Sequence, residues 1–222
     1  MSRLRIHLLP RVLNHLRSDI NAQSFIPTNI EHASTTHVII RHDRLYVHKI
    51  IKFNFTTYDM RRDQDVINPR TPHCNIMALA QPDSYRSSDE HPFLYGRVLG
   101  VFHVNVIYNG PGAVEYASQR FDCLWVRWYD LEVNTSRNGS QKSMRPRSGA
   151  AEKQKVPSHH LDRLSFLPWE AEEAFGFIDP ADVLHGCHII PAFSAGKSFP
   201  NGGDSSSCAH DSEDWNAYYI SR

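Results

Sequence analysis

The sequence predicts a mainly β protein of the α+β class, a small antiparallel barrel-like or strongly coiled sheet carrying an N-terminal amphipathic helix. Three observations lead there. β-Branched and aromatic residues fill long strand-like runs, above all FLYGRVLGVFHVNVIY (93–108) and FDCLWVRWYDLEV (121–133). Six or seven such segments stand against one long helical pattern. The 222 residues, 41% apolar and 22% charged, suffice for one sizeable core, so the chain is read as a single domain over 1–222.

The helix is predicted over about residues 3–17. Leu4, Leu8, Leu9, Val12, Leu13 and Leu16 recur at three- and four-residue intervals, with an interruption or restart expected at Pro10. Next, HVIIRHDRLYVHKIIKFNFTTY reads as a hairpin with a long second strand, turned at His42 and Asp43. The run DMRRDQD from Asp59, followed by Asn68-Pro69 and Thr71-Pro72, reads as turn chemistry that cannot continue a strand. A short strand covers Asn75 to Ala80, and Gly96 and Gly100 predict bends or bulges in the 93–108 strand.

In the 121–133 strand, Leu124, Val126 and Trp128 fall on one side, and Cys123, Trp125, Arg127 and Tyr129 on the other. Apolar and aromatic residues on both faces mark a central, covered strand. Residues 134–159 are Ser, Arg, Lys, Gly and Pro with almost nothing apolar, and are read as a flexible basic insertion. The strand DRLSFLP, an acidic helical turn WEAEEAF and a final edge strand in DWNAYYISR complete the set.

The stretch FGFIDPADVLHGCHIIPAFSAGKS (175–198) admits three readings. A phosphate loop needs a glycine five residues before Gly196, where Pro191 stands without an amide, so no nucleotide is expected. A metal reading takes His185, Cys187, Cys208 and His210 as two pairs of potential zinc ligands. The turn reading makes Asp179 a cap, Pro180 the first residue of a short helix near 180–185, and Gly186 its left-handed end, with a strand from Cys187 to Phe193. The last explains most of the residues.

Lys plus Arg (24) equal Asp plus Glu (24), so no overall field draws in nucleic acid. Fourteen histidines raise metal binding. The four widely spaced cysteines suit reduced thiols in an intracellular protein rather than a disulfide framework. No secretory signal and no apolar run of about 20 residues is found, so no membrane partner is expected. Gly-x-Ser-x-Gly is missing and no catalytic set can be named. Asp59, Asp63, Asp65, Asp122 and Asp130 are carboxylates that could hold a divalent ion, or else solvated turn residues. The candidate binding face is aromatic: Tyr95, Trp125, Trp128 and Tyr129, with Arg127 among them, as a cage for a methylated lysine or a stacking platform for bases, against the alternative that strand aromatics are core. Arg137, Lys142, Arg145, Arg147, Lys153 and Lys155 of the basic insertion are candidates for phosphate contact or nuclear import.

Six blocks in order, RIHLLPRVL, RLYVHKIIKFNFTTYDMRRDQDVINPRT, HPFLYGRVLGVFHVNVIY, FDCLWVRWYDLEV, FGFIDPADVLHGCHIIPAF and CAHDSEDWNAYYISR, together resemble the C-terminal region of fungal transposase-like proteins of the Plavaka and KDZ kind. The resemblance implies that a nuclease-like region lies upstream in such proteins and that no catalytic residue carries over. It further implies Arg in relatives where this chain has His185 and His210. The strand order is also similar, as a pattern, to bromo-adjacent-homology domains of chromatin. The resulting expectation is a non-enzymatic binding or scaffolding domain of transposon origin, nuclear, without cofactor, with chromatin, DNA or a cognate transposase as partner. The alternatives are a metal-binding nuclease accessory and a non-functional remnant.

Overall fold

The computed structural model describes residues 1–18, 34–56, 59–80, 92–111, 113, 116–132, 161–199, 206, 209 and 211–221. The basic insertion predicted at 134–159 lies outside these. The helix α1 (Ser2–Ser18) runs unbroken through an exposed Pro10 rather than restarting there. A proline inside a helix removes one backbone hydrogen bond, but the buried stripe of Leu4, Leu8, Val12 and Leu13 spans it on both sides and holds the helix to the sheet.

Twelve strands follow among the described residues: β1 (Val38–Ile40), β2 (Tyr46–His48), β3 (Ile51–Thr56), β4 (Arg62–Ile67), β5 (Asn75–Leu79), β6 (Phe93–Tyr108), β7 (Gln119–Leu131), β8 (Arg163–Phe166), β9 (Phe175–Ile178), β10 (Val183–Gly186), β11 (His188–Pro191) and β12 (Tyr218–Ser221). All pair antiparallel, in the order β10-β5-β6-β7-β8-β12-β11. β1 and β2 lie against β6, and β9 against β7. β10 and β11 are consecutive in the chain, with only Cys187 between them, and the Cys187 amide donates to the Asn75 carbonyl at 3.0 Å. One segment therefore bonds β5 with its first half and β12 with its second, which all but closes the sheet into a barrel.

The long β6–β7 ladder is the spine. Its register slips by one residue between Val98 and Gly100, a bulge that coils the pair. Gly96, opposite Trp128, has no room for a side chain, because a Cβ would strike Val126 and the Trp128 ring.

Three apolar clusters follow from the alternation. Met77, Tyr95, Tyr129, Leu164, Leu184, Ile189, Tyr218 and Ile220 come from every strand of the ring and meet inside it. Outside, Ile76, Ala78, Val98, Val101, Leu124 and Val126 are covered by Phe53 and Ile67 of the separate β3–β4 hairpin. The far half of β6–β7 offers Val104, Val106, Phe121 and Cys123 to α1.

Four further expectations are corrected. β1 and β2 do not form a hairpin: both run antiparallel to β6, and six residues from Ile40 to Tyr46 span three of β6, the excess bulging out at His42 and Asp43, both left-handed. Arg62–Ile67 is a strand despite its charges, because it lies on an exposed hairpin where ladder bonds to β3 suffice. The short helix near 180–185 is one 3-10 turn, Pro180–Asp182, capped by Asp179 onto the Ala181 amide at 2.9 Å. It gives way at the β-branched Val183 to β10, so Gly186 is a strand residue. The terminal strand is not an edge, since β12 sits between β8 and β11.

α1 is stapled down by Arg11, whose Nε lies 2.6 Å from Asp179 Oδ2 and whose Nη1 donates to the Asp122 carbonyl at 2.8 Å. Beside it, burial first and the Arg11 charge second push the His7 imidazole down to about 4, with Asp179 pulling the other way. The unfolded chain then takes up this proton near the ordinary value of about 6.5 while the folded one resists until about 4. Stability is full above that window and falls as pH drops through it, by the order of 2–3 kcal/mol. Urea unfolding at several pH values should show His7→Gln losing less stability than the native chain between the two limits. Parallel pH curves would contradict this.

Candidate functional site

The five aromatic-face candidates do not share a face. On β7, period two sends Trp125, Arg127 and Tyr129 one way and Trp128 the other. Tyr95 and Tyr129 are buried inside the ring, and burial holds the Tyr129 hydroxyl well above its ordinary value while it donates to Asn75 Oδ1 at 3.2 Å. Trp128 lies half-buried on the outer cluster, wedged between Gly96 and Gly176.

Arg127 is 4% exposed and serves structure. Its Nη1 donates to Asp214 Oδ2 at 2.9 Å, and Arg97 Nη1 donates to Asp214 Oδ1 at 2.6 Å. The Tyr218 hydroxyl donates to the same Oδ1 at 3.0 Å. The Arg127 guanidinium carbon stands 3.9 Å from the Phe166 ring centroid and 5.0 Å from that of Trp169, so aromatic faces take the place of water around the charge. Burial raises the Asp214 carboxyl, and the two guanidiniums and the Tyr218 hydroxyl pull it back. Arg127 and Asp214 at its centre are buried.

Trp125 is the candidate that reaches a cleft. Its ring packs on Phe177 at 4.7 Å and stacks on Phe175 at 5.9 Å. With Met1, Leu4, Leu45, Phe102 and Phe177 it lines an open apolar hollow of about 420 Å³, in which Ser2 and Arg3 are the polar members. Gly100 lets the Phe102 ring lie across the backbone there, since a Cβ would collide with it. Beside the hollow, Val47, paired with Phe102, is 72% exposed, and Leu45 and Met1 are also exposed. Among the described residues, the β1–β2 edge next to it bonds only β6.

Of the zinc candidates, Cys208 and His210 lie outside the described residues. The two that are described part company: His185 faces Phe55 of β3 at 5.9 Å, whereas Cys187 packs against the cluster inside the ring. Burial, then Cys74 and Asp65, push the Cys187 thiol up to about 12, as for a packed thiol. Of the carboxylates, Asp65 accepts the Gly186 amide at 2.7 Å and so ties the β3–β4 hairpin to the ring. Lys197 of the Gly-Lys-Ser triplet reaches Glu213 at 2.7 Å.

The sequence reading missed Leu45, Phe102, Phe177 and α1 as partners of Trp125. It also missed a grouping of His48, His103 and Asp122 on three adjacent strands. The signal for both was strand register, which no single segment carries. No described helix is long and apolar enough to cross a membrane. No protein-family model, curated protein or solved structure matches the chain.

Proposed function

We propose that this chain is a non-enzymatic binding domain that takes an extended segment of a partner protein along its β1–β2 edge, with one apolar side chain in the Trp125 hollow. The observation that carries the reading is an exposed apolar patch, Leu45, Val47 and Met1, continuous with a ready hollow beside a strand edge. Main-chain bonds to such an edge supply affinity and the hollow supplies selectivity. Arg3 in the lining, with no carboxylate among its described residues, favours an apolar or aromatic side chain over the methylated lysine that the sequence raised as one candidate. DNA is disfavoured as the ligand of this surface because the lining is apolar and offers Arg3 as a lone cation among the described residues. The transposon resemblance makes a cognate transposase or a chromatin protein in the nucleus the partner to test first. The metal-binding alternative has its own support in different residues, described below.

Peptides from transposase and from histone tails, offered to the protein, test the reading. Binding should weaken at least tenfold in Trp125→Ala and in Val47→Glu, about 1.4 kcal/mol or more. Val47 is a surface residue, so its variant should melt like the native chain. Binding that is indifferent to both variants, or binding of DNA alone, would defeat the proposal.

A further inference from the structure

We infer that His48, His103 and Asp122 form a binding site for a divalent first-row transition metal, with Zn²⁺ as the test ion. The site is independent of the Trp125 hollow: it lies on the opposite face of the far half of the β6–β7 ladder.

The placement follows from register. His103 stands directly opposite Asp122 on β7 and opposite Tyr46 on β2, and His48 is the next residue on the Tyr46 face, opposite Val101. Side chains directly across a pair, or one diagonal step away, are within reach of each other. On β6 and β7 the residues on either side, Phe102 and Val104, Phe121 and Cys123, turn to α1 and its cluster. Period two therefore drives His103 and Asp122 outward together, from a backbone held rigid on its other side.

One ligand atom from each of the three lies within 4.8 Å of the other two. His48 Nε2 and His103 Nδ1 approach to 2.6 Å. Two imidazoles on one zinc at about 2.0–2.1 Å each need their nitrogens roughly 3.3 Å apart in a tetrahedron. A small opening of the pair, by rotation of the half-exposed His48, thus admits the ion.

The surroundings orient the set as a metal site requires. The Tyr46 ring stacks on His103 at 4.6 Å with planes 5° apart, which fixes that imidazole. Arg120 holds Asp122 through two bonds to the same oxygen, Nε at 3.1 Å and Nη2 at 2.8 Å to Oδ1, which fixes the carboxylate and leaves Oδ2 outside that pair. Two imidazoles and one carboxylate are borderline ligands that suit zinc, iron, cobalt or nickel rather than calcium or magnesium. Three protein ligands leave a fourth position for water or for a group of a partner.

The test is zinc titration of the full chain, prepared without a metal-affinity tag and stripped with chelator, read by calorimetry and by the melting temperature. One equivalent should bind near pH 7 and raise the melting temperature. Affinity should fall as pH drops, because protons compete for the imidazoles. His103→Ala and Asp122→Asn should each weaken binding at least tenfold, while His185→Ala, on another part of the sheet, should leave it unchanged. Should His103→Ala fold poorly, His48→Gln at the half-exposed partner gives the same reading. Failure to bind one equivalent, or equal binding by the native chain and by Asp122→Asn and His48→Gln, would overturn the assignment.

Discussion

Replacing Asp214 by alanine is expected to cost about 3–5 kcal/mol, a large share of the roughly 5–15 kcal/mol that holds an ordinary domain folded. The carboxylate is 3% exposed and is the shared acceptor for Arg97, Arg127 and Tyr218. Removing it leaves Arg127, 4% exposed, as a buried charge that has lost its hydrogen-bonded carboxylate, with aromatic rings and the more distant charge of Asp211 around it. Such an orphaned charge costs far more than the pair contributes when intact. The network also carries topology. Arg97 lies on β6, Arg127 on β7 and Tyr218 on β12, so one carboxylate from the segment before β12 fastens the last strand to the spine. Asp214→Asn, which keeps the shape and loses the charge, should fall between native and alanine. Urea unfolding monitors both, and an Asp214→Ala chain as stable as the native one would refute this role.

The second large effect is expected at Leu8. It is fully buried between α1 and the far half of the β6–β7 ladder, among Val12, Val104 and Phe121. Leu8→Ala should cost about 2–5 kcal/mol, the transfer of the lost carbons plus the cavity left behind. Because α1 makes its apolar contact with the sheet through one stripe, beside the Arg11 bonds, the loss should appear first as local release of the helix. Hydrogen exchange would then quicken in α1 before it does in the β6–β7 ladder. Uniform quickening across both would mean that helix and sheet unfold as one unit.

Much of this architecture was legible. α1 and the limits of β6 followed from long, uninterrupted periodicity, and Gly96 and Gly100 did mark the coiled stretch of β6. Short elements were less legible because neighbours decide them. β4 reads as a turn by its charges, yet Gln64 and Asn54 bond across the hairpin at 2.8 Å, and Asp65 caps a distant strand. Val183 follows a true helix cap but pairs with Ala78 of β5, and that contact outweighs the local helix signal. The candidate residues divided for the same reason. Alternation along β7 could be read from the letters, and it put Trp125 and Trp128 on opposite faces from the outset. Which face would be reachable depended on α1, β9 and Leu45 arriving beside Trp125, and that is information held in the fold.

The central claim is that the ligand-binding surface is the hollow at Trp125, and the indole N–H resonances of the four tryptophans test it most directly. Substitution of each tryptophan by phenylalanine assigns the signals. On addition of a transposase- or histone-derived peptide that binds, the Trp125 signal should move while those of Trp128, Trp169 and Trp215 stay in place. A peptide that binds and shifts Trp169 or Trp215, with Trp125 unmoved, would contradict the account.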